Sequence, residues 1–157
     1  MKIATIVTAA ALLSTSSPSV RAAPPSAETD LAADSLATFP ADAVLGNWWT
    51  EGKEGLMKIV KTKSDRYEVL IVSGKDEDKK DVKNPDPKLR DRKLKGIVIM
   101  WNLRFEDGEY VDGRCYNPRD GNIYSVKMKI TGPSTLHMRG YLLVPLLGQS
   151  QDWTRAE

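Results

Sequence analysis

The chain has one cysteine and one histidine among its 157 residues. A lone Cys115 excludes an internal disulfide framework, so the fold must be held by packing alone. With His137 the sole histidine, no His/Cys cluster has metal-ligand spacing, and no Ser-His-Asp or Cys-His motif is visible. No catalytic residue, metal or cofactor is expected. Charge of one sign is lacking too. The 23 Lys+Arg and 21 Asp+Glu nearly cancel, which excludes the basic footprint of a nucleic-acid partner. Long apolar runs are also missing. Residues 3–13 form a run of about 11, short of the roughly 20 that a membrane-spanning helix needs.

What stands at the start is an address. Met1-Lys2 supplies a positive end, residues 3–13 the apolar run, and residues 14–22 a small, polar stretch ending in Val20-Arg21-Ala22. This order predicts a cleavable secretory signal peptide over residues 1–22, cut near Ala22, and a periplasmic or secreted protein. Its removal takes away Lys2 and Arg21 and leaves 21 basic against 21 acidic residues. Residues 23–41 are rich in Ala, Pro and Ser and are expected to form a flexible leader, with a short helix around 29–37. Residues 42–157 form one domain.

From residue 44 the pattern is that of a β protein. Runs of apolar, β-branched and aromatic residues between turn signals predict eight strands, at 44–51, 56–62, 66–73, 97–106, 109–116, 122–131, 135–142 and 149–155. Asp107-Gly108, Asp120-Gly121 and Gly132-Pro133-Ser134 are hairpin signals, and Lys63-Ser64-Asp65 joins the second and third strands. Alternation places Ile97, Ile99, Trp101, Leu103 and Phe105 on one face. On another strand it sets Tyr124, Val126, Met128 and Ile130 against Ser125, Lys127 and Lys129. Eight such strands with short connections predict a single antiparallel barrel, either filled by its own side chains or holding one small ligand. Cys115 falls in a strand and is expected to be buried.

One connection is long. Residues 74–95 carry a charge-dense half, 75–81, and a second half in which Asp86 is placed to cap one short helical turn from Pro87. That segment is expected to cover one end of the barrel.

The two ends of the pattern answer each other. Gly46-Asn47-Trp48 opens the first strand and Trp153-Thr154-Arg155 closes the last. Closure makes those strands neighbours, so Arg155 is placed over the Trp48 indole, a contact of roughly 0.5–2 kcal/mol. Gly46, Trp48, Trp153 and Arg155 are therefore assigned to barrel closure.

The block Asp81-Val82-Lys83-Asn84-Pro85-Asp86-Pro87-Lys88-Leu89-Arg90-Asp91-Arg92-Lys93-Leu94-Lys95-Gly96 resembles the central motif of a secreted bacterial family, domain of unknown function 2147. Gly113-Arg114-Cys115-Tyr116-Asn117-Pro118-Arg119-Asp120-Gly121-Asn122-Ile123-Tyr124 is similar to its Gly-x-x-Tyr-Asp-Pro-x-x-Gly-x-x-Tyr hairpin. Arg139-Gly140-Tyr141 and Trp153-Thr154-Arg155 are similar to its closing segment, and Gly46-Asn47-Trp48 to its opening. The resemblance spans nearly all of the chain after the leader. It implies a lipocalin-like, calycin-type barrel exported by a Gram-negative bacterium, and it implies no activity. The chain departs from the family at Asn117, where Asp is usual, and at Tyr141 and Gly148, where many members carry cysteines.

Two groups of residues are candidates for a site. Trp49, Trp101, Tyr116, Tyr124 and Met128 either line an apolar cavity or fill the barrel as core. Asn84, Asp86, Arg90 and Arg92 form a polar group on the long loop. Two arginines there either hold a carboxylate or phosphate headgroup or serve the loop itself. Glu106-Asp107-Gly108-Glu109 fails the EF-hand spacing and is more simply a hairpin turn. The functional reading is an exported, non-enzymatic, lipocalin-like protein that binds a small apolar or amphipathic molecule in its barrel. Its rival is a filled-barrel protein of the cell envelope that uses the 75–95 loop as a contact surface for a partner not identified by the sequence.

Overall fold

The computed structural model describes residues 39–157 apart from Glu77. The expected signal peptide, the expected leader up to residue 38 and the short helix expected around 29–37 lie outside the described residues. Eight strands follow in chain order: β1 (Gly46–Trp49), β2 (Gly55–Lys61), β3 (Tyr67–Gly74), β4 (Val98–Glu106), β5 (Glu109–Asn117), β6 (Asn122–Gly132), β7 (Thr135–Tyr141) and β8 (Gln149–Arg155). They form one closed antiparallel barrel, in which β8 returns to β1 with Arg155 opposite Trp48 and Thr154 opposite Trp49. The expected fold class is the one found. Only the first strand is markedly shorter than its pattern, because Ala41–Val44 and Glu51–Lys53 wind into 3₁₀ turns on either side. At Asp107-Gly108 both residues have positive φ, 49° and 80°, as a two-residue hairpin matched to strand twist requires.

An up-and-down barrel sorts its connections between two ends. The turns β2–β3, β4–β5 and β6–β7 share one end with the 3₁₀ turn Ala41–Val44. That end is sealed. The Trp48 indole donates to the Val44 carbonyl (2.8 Å), the Tyr67 hydroxyl to Asp42 (2.7 Å) and the Tyr110 hydroxyl to the Ala41 carbonyl (2.7 Å). Arg155 lies 4.2 Å over the Trp48 ring and donates to the carbonyls of Leu45 (3.1 Å) and Ala43. The interior behind this seal is packed with Trp48, Trp153, Tyr67, Tyr110, Leu103 and Met128, all essentially inaccessible.

Strand β4 breaks the expected alternation. Val69 pairs with Met100 but Leu70 pairs with Val98, so β4 carries one extra residue there. A second irregularity falls at Asn102, whose φ is +64°. Bulges of this kind bend and twist a strand so that a sheet can close. Here they place Ile99, Met100 and Leu103 in the core and turn Trp101 outward, opposite the exposed Arg114. Of the five residues expected on one face, Trp101 is the one that leaves it.

Candidate functional site

The remaining connections, β1–β2, β3–β4, β5–β6 and β7–β8, lie at the other end. There the inner face is less tightly packed, and Arg119 of the β5–β6 turn reaches Glu54 of the β1–β2 turn (3.3 Å) and Asp76 of the long loop (4.0 Å). Met57 opposes Ile71, Cys115 opposes Met100 and Tyr124, and Met138 opposes the exposed Gln151. Met57, Ile71, Cys115, Tyr124 and Met138 are each only half-buried. Cys115 was expected to be buried; it stands instead at the rim of the packed core. Burial, and secondarily the Asp120 charge, still pushes its thiol up to about 12. The barrel is thus filled at its sealed end, and at its open end a rim of mostly apolar side chains packs on the core and stays partly accessible.

The long loop is pinned to the outer wall near this end. Asp81 is completely buried and accepts from the Tyr116 hydroxyl (2.5 Å), the Asn84 amide (2.8 Å) and Arg92 Nε (3.0 Å), with Arg92 Nη2 also 2.9 Å away. Burial alone would raise the Asp81 pKa. Its three donors and the guanidinium charge outweigh burial and hold the carboxyl below its usual value. In turn, burial and the Asp81 carboxylate push the Tyr116 hydroxyl up to about 12. Asn84 Oδ1 accepts from the Asp86 N–H, Asp86 caps the 3₁₀ turn Pro87–Leu89 through the Lys88 N–H, and Arg90 Nε donates to the Asn84 carbonyl. Asp86, Arg90 and Arg92 all serve the loop. At Gly121 (φ +79°) an added Cβ would stand 2.1 Å from the Lys83 carbonyl oxygen, so only glycine lets the loop cross the β5–β6 hairpin.

The sequence predicts that the 3₁₀ part of the loop covers one barrel end; it leans instead on the outer wall, while the start of the loop, at Lys75 and Asp76, meets Glu54 and Arg119 of the turns at that end. Cys115 and Met100 point inward, so Tyr116, its partner Ile123 and the Trp101–Arg114 pair point outward. Between loop and wall runs a groove of about 180 Å³ lined by Asn84, Pro85, Arg92, Val98, Trp101, Tyr116 and Ile123. Four candidate residues from two different groups, Asn84, Arg92, Trp101 and Tyr116, therefore meet outside the barrel. Tyr124 keeps an inner-face position at the rim, with its hydroxyl on Asp120 (2.7 Å), and Met128 is core. Trp49 alternates with the buried Trp48, so it faces outward and joins neither place. A larger groove of about 480 Å³ at the sealed end is edged by Lys61 and Arg104. Lys61 is paired with Asp42 and Asp65, and Arg104 with Glu106 and Asp112.

One feature of the rim is absent from the sequence-based candidates. Residues 142–147 join β7 to β8 and expose Leu142, Leu143, Val144, Leu146 and Leu147. The signal was present as an apolar run interrupted by Pro145 with no strand alternation. Elsewhere, His137 lies on the outer face with Nδ1 2.7 Å from Asp152. Among the described residues no three His, Cys, Asp or Glu side chains gather as a metal would require. No described helix is long and apolar enough to cross a membrane.

A closed eight-stranded up-and-down barrel, with Gly-x-Trp on its first strand and an arginine from its last over that indole, is a lipocalin-like protein. More narrowly, the chain belongs to the family described as "Uncharacterized protein conserved in bacteria (DUF2147)", whose model matches residues 46–155. Among solved structures it is similar to protein HP1028 from the human pathogen Helicobacter pylori, described as belonging to the lipocalin family. That likeness has a TM-score of 0.65 at 26% identity and covers 73% of this chain and 83% of the other. No curated protein matches the chain.

Proposed function

We propose that this is an exported, non-enzymatic binding protein that takes one small apolar or amphipathic molecule at the open end of its barrel. The observation that carries the reading is the asymmetry of the inner face. One half is filled by large side chains, and the other leaves Met57, Ile71, Cys115, Tyr124 and Met138 half-buried and predominantly apolar. Such a face suits an acyl or ring tail whose polar end stays at the rim. The lipocalin-family description of the Helicobacter pylori protein supports it. Export rests on the pattern of residues 1–22. Native mass spectrometry of the protein taken from its own compartment should show a bound small molecule. Titration with a fluorescent fatty-acid analogue should saturate, and Met138→Gln should weaken it at least tenfold without lowering Tm. A protein that carries nothing and does not bind the analogue would overturn the reading.

The groove beside Trp101 favours a second reading, a contact surface for a protein. Its volume fits a single side chain of a partner, and a half-buried Trp beside an Arg is the composition of an interface anchor. Under that reading Trp101→Ala abolishes capture of a partner and leaves the fatty-acid titration unchanged.

A further inference from the structure

We infer that the β7–β8 loop is a lipid-surface anchor whose residues 142–147 dip into the outer layer of a phospholipid bilayer. This goes beyond the binding function and does not require the barrel to hold a ligand. Leu143 is 86% exposed and Leu146 85%, and Leu142, Val144 and Leu147 are exposed beside them. Together they bare on the order of 500–600 Å² of aliphatic surface, at the upper limit of what soluble monomers leave in one patch. From Gly140 to Gln151 the chain carries no charged residue, although 28% of the protein is charged. Nothing ionised has to be dehydrated as the tip enters an apolar phase.

The loop is also held from below. Arg139 donates through Nε to the Pro145 carbonyl (2.5 Å), through Nη2 to the Leu146 carbonyl (3.0 Å) and through Nη1 to Ser150 Oγ (2.8 Å). The Leu147 and Gly148 N–H groups donate to the Val144 and Pro145 carbonyls, both at 3.1 Å. Pairing of the Val144, Pro145 and Leu146 carbonyls and of the Leu147 N–H lowers the cost of bringing this part of the tip to a hydrocarbon medium, which offers backbone groups no partners. Arg139 stands at the base of the tip, where its charge stays at headgroup level.

Other occupants fit this surface less well. The patch falls short of the roughly 800 Å² per partner that a stable dimer buries. Protein hot spots favour Trp, Tyr and Arg and under-represent Leu and Val, and residues 142–147 contain only Leu, Val and Pro. The β1–β2 turn beside β8 holds Glu51, Lys53 and Glu54, so the immediate neighbour of the tip offers no surplus of positive charge to anionic headgroups. The attraction is apolar, and zwitterionic lipid suffices.

The test uses the full chain carrying Leu146→Trp with phosphatidylcholine vesicles that contain brominated acyl chains. The new indole should shift to the blue and be quenched beyond any change in the wild-type protein. A Leu143→Asp/Leu146→Asp variant, at exposed positions and so with wild-type Tm, should lose at least tenfold in co-sedimentation with the same vesicles. An unquenched Leu146→Trp probe, or a double variant that sediments like wild type, overturns the inference. So does a wild-type dimer that the double variant splits, since the occupant is then a second copy.

Discussion

Arg155 serves three elements at once. Its guanidinium covers Trp48 of β1, its backbone belongs to β8, and its N–H groups take the carbonyls of Leu45 and Ala43 beside the sealing 3₁₀ turn. Arg155→Ala removes a cation–π contact of roughly 0.5–2 kcal/mol and charged hydrogen bonds of roughly 1.5–3 kcal/mol. Thermal unfolding should show Tm lower by on the order of 10 °C, and an unchanged Tm would refute the seam. Arg155→Lys should recover less than half of the loss, because a point charge cannot span two carbonyls and an indole. Cys115 makes a second prediction at this scale. Its thiol, raised to about 12, is protonated at neutral pH, so iodoacetamide should label the folded protein at least tenfold more slowly than the unfolded chain.

At the scale of elements, the long loop is ordered by one buried carboxylate rather than by its own length. Asp81 ties it to β5 through Tyr116 and to its own far side through Arg92, and Gly121 lets it pass. Tyr116→Phe deletes one donor to a buried charge, which should cost roughly 1.5–3 kcal/mol. The readout is limited proteolysis. Trypsin should cut residues 75–95 faster in Tyr116→Phe and in Gly121→Ala, while far-UV circular dichroism keeps the barrel signal. Equal cutting rates would mean that the loop is held elsewhere. The phase change in β4 belongs to this scale as well. Trp101 moves from an expected cavity wall to an outer groove because one bulge shifts the strand by one position before it and a second, at Asn102, restores the phase for Leu103 and Phe105.

For the whole molecule, acidity is the main lever. Asp42, Glu54, Asp76, Asp78, Asp81, Asp91, Glu106 and Asp120 are all held below their ordinary values, 3.8 for Asp and 4.5 for Glu. Hydrogen bonds from neighbouring donors do this for most of them, and at Asp81 and Asp120 the donors outweigh burial. A carboxyl lowered in the folded state adds stability that is complete above its unfolded value and is lost as pH falls through its folded value. The urea midpoint should therefore be level through neutral pH and fall from about 4.5 downward. An equal midpoint at pH 3 and pH 7 would contradict this.

Strand number, strand order and the meeting of the first and last strands were determined by the sequence itself. Turn residues such as Asp107-Gly108 and the alternation in β6 are local signals, and closure follows once eight short antiparallel strands are present. Asp86 as a cap was equally local, since it needs only Pro87 and Lys88 beside it. The tertiary structure decided the rest. Which side Trp101 faces depends on bulges measured against β3, and the contact of Asp81 with Tyr116 joins residues 35 positions apart. Whether Leu143 and Leu146 are covered depends on what lies above the rim, and in this barrel nothing described does. Periodicity along one chain cannot report such distances, because they are set by where other strands end.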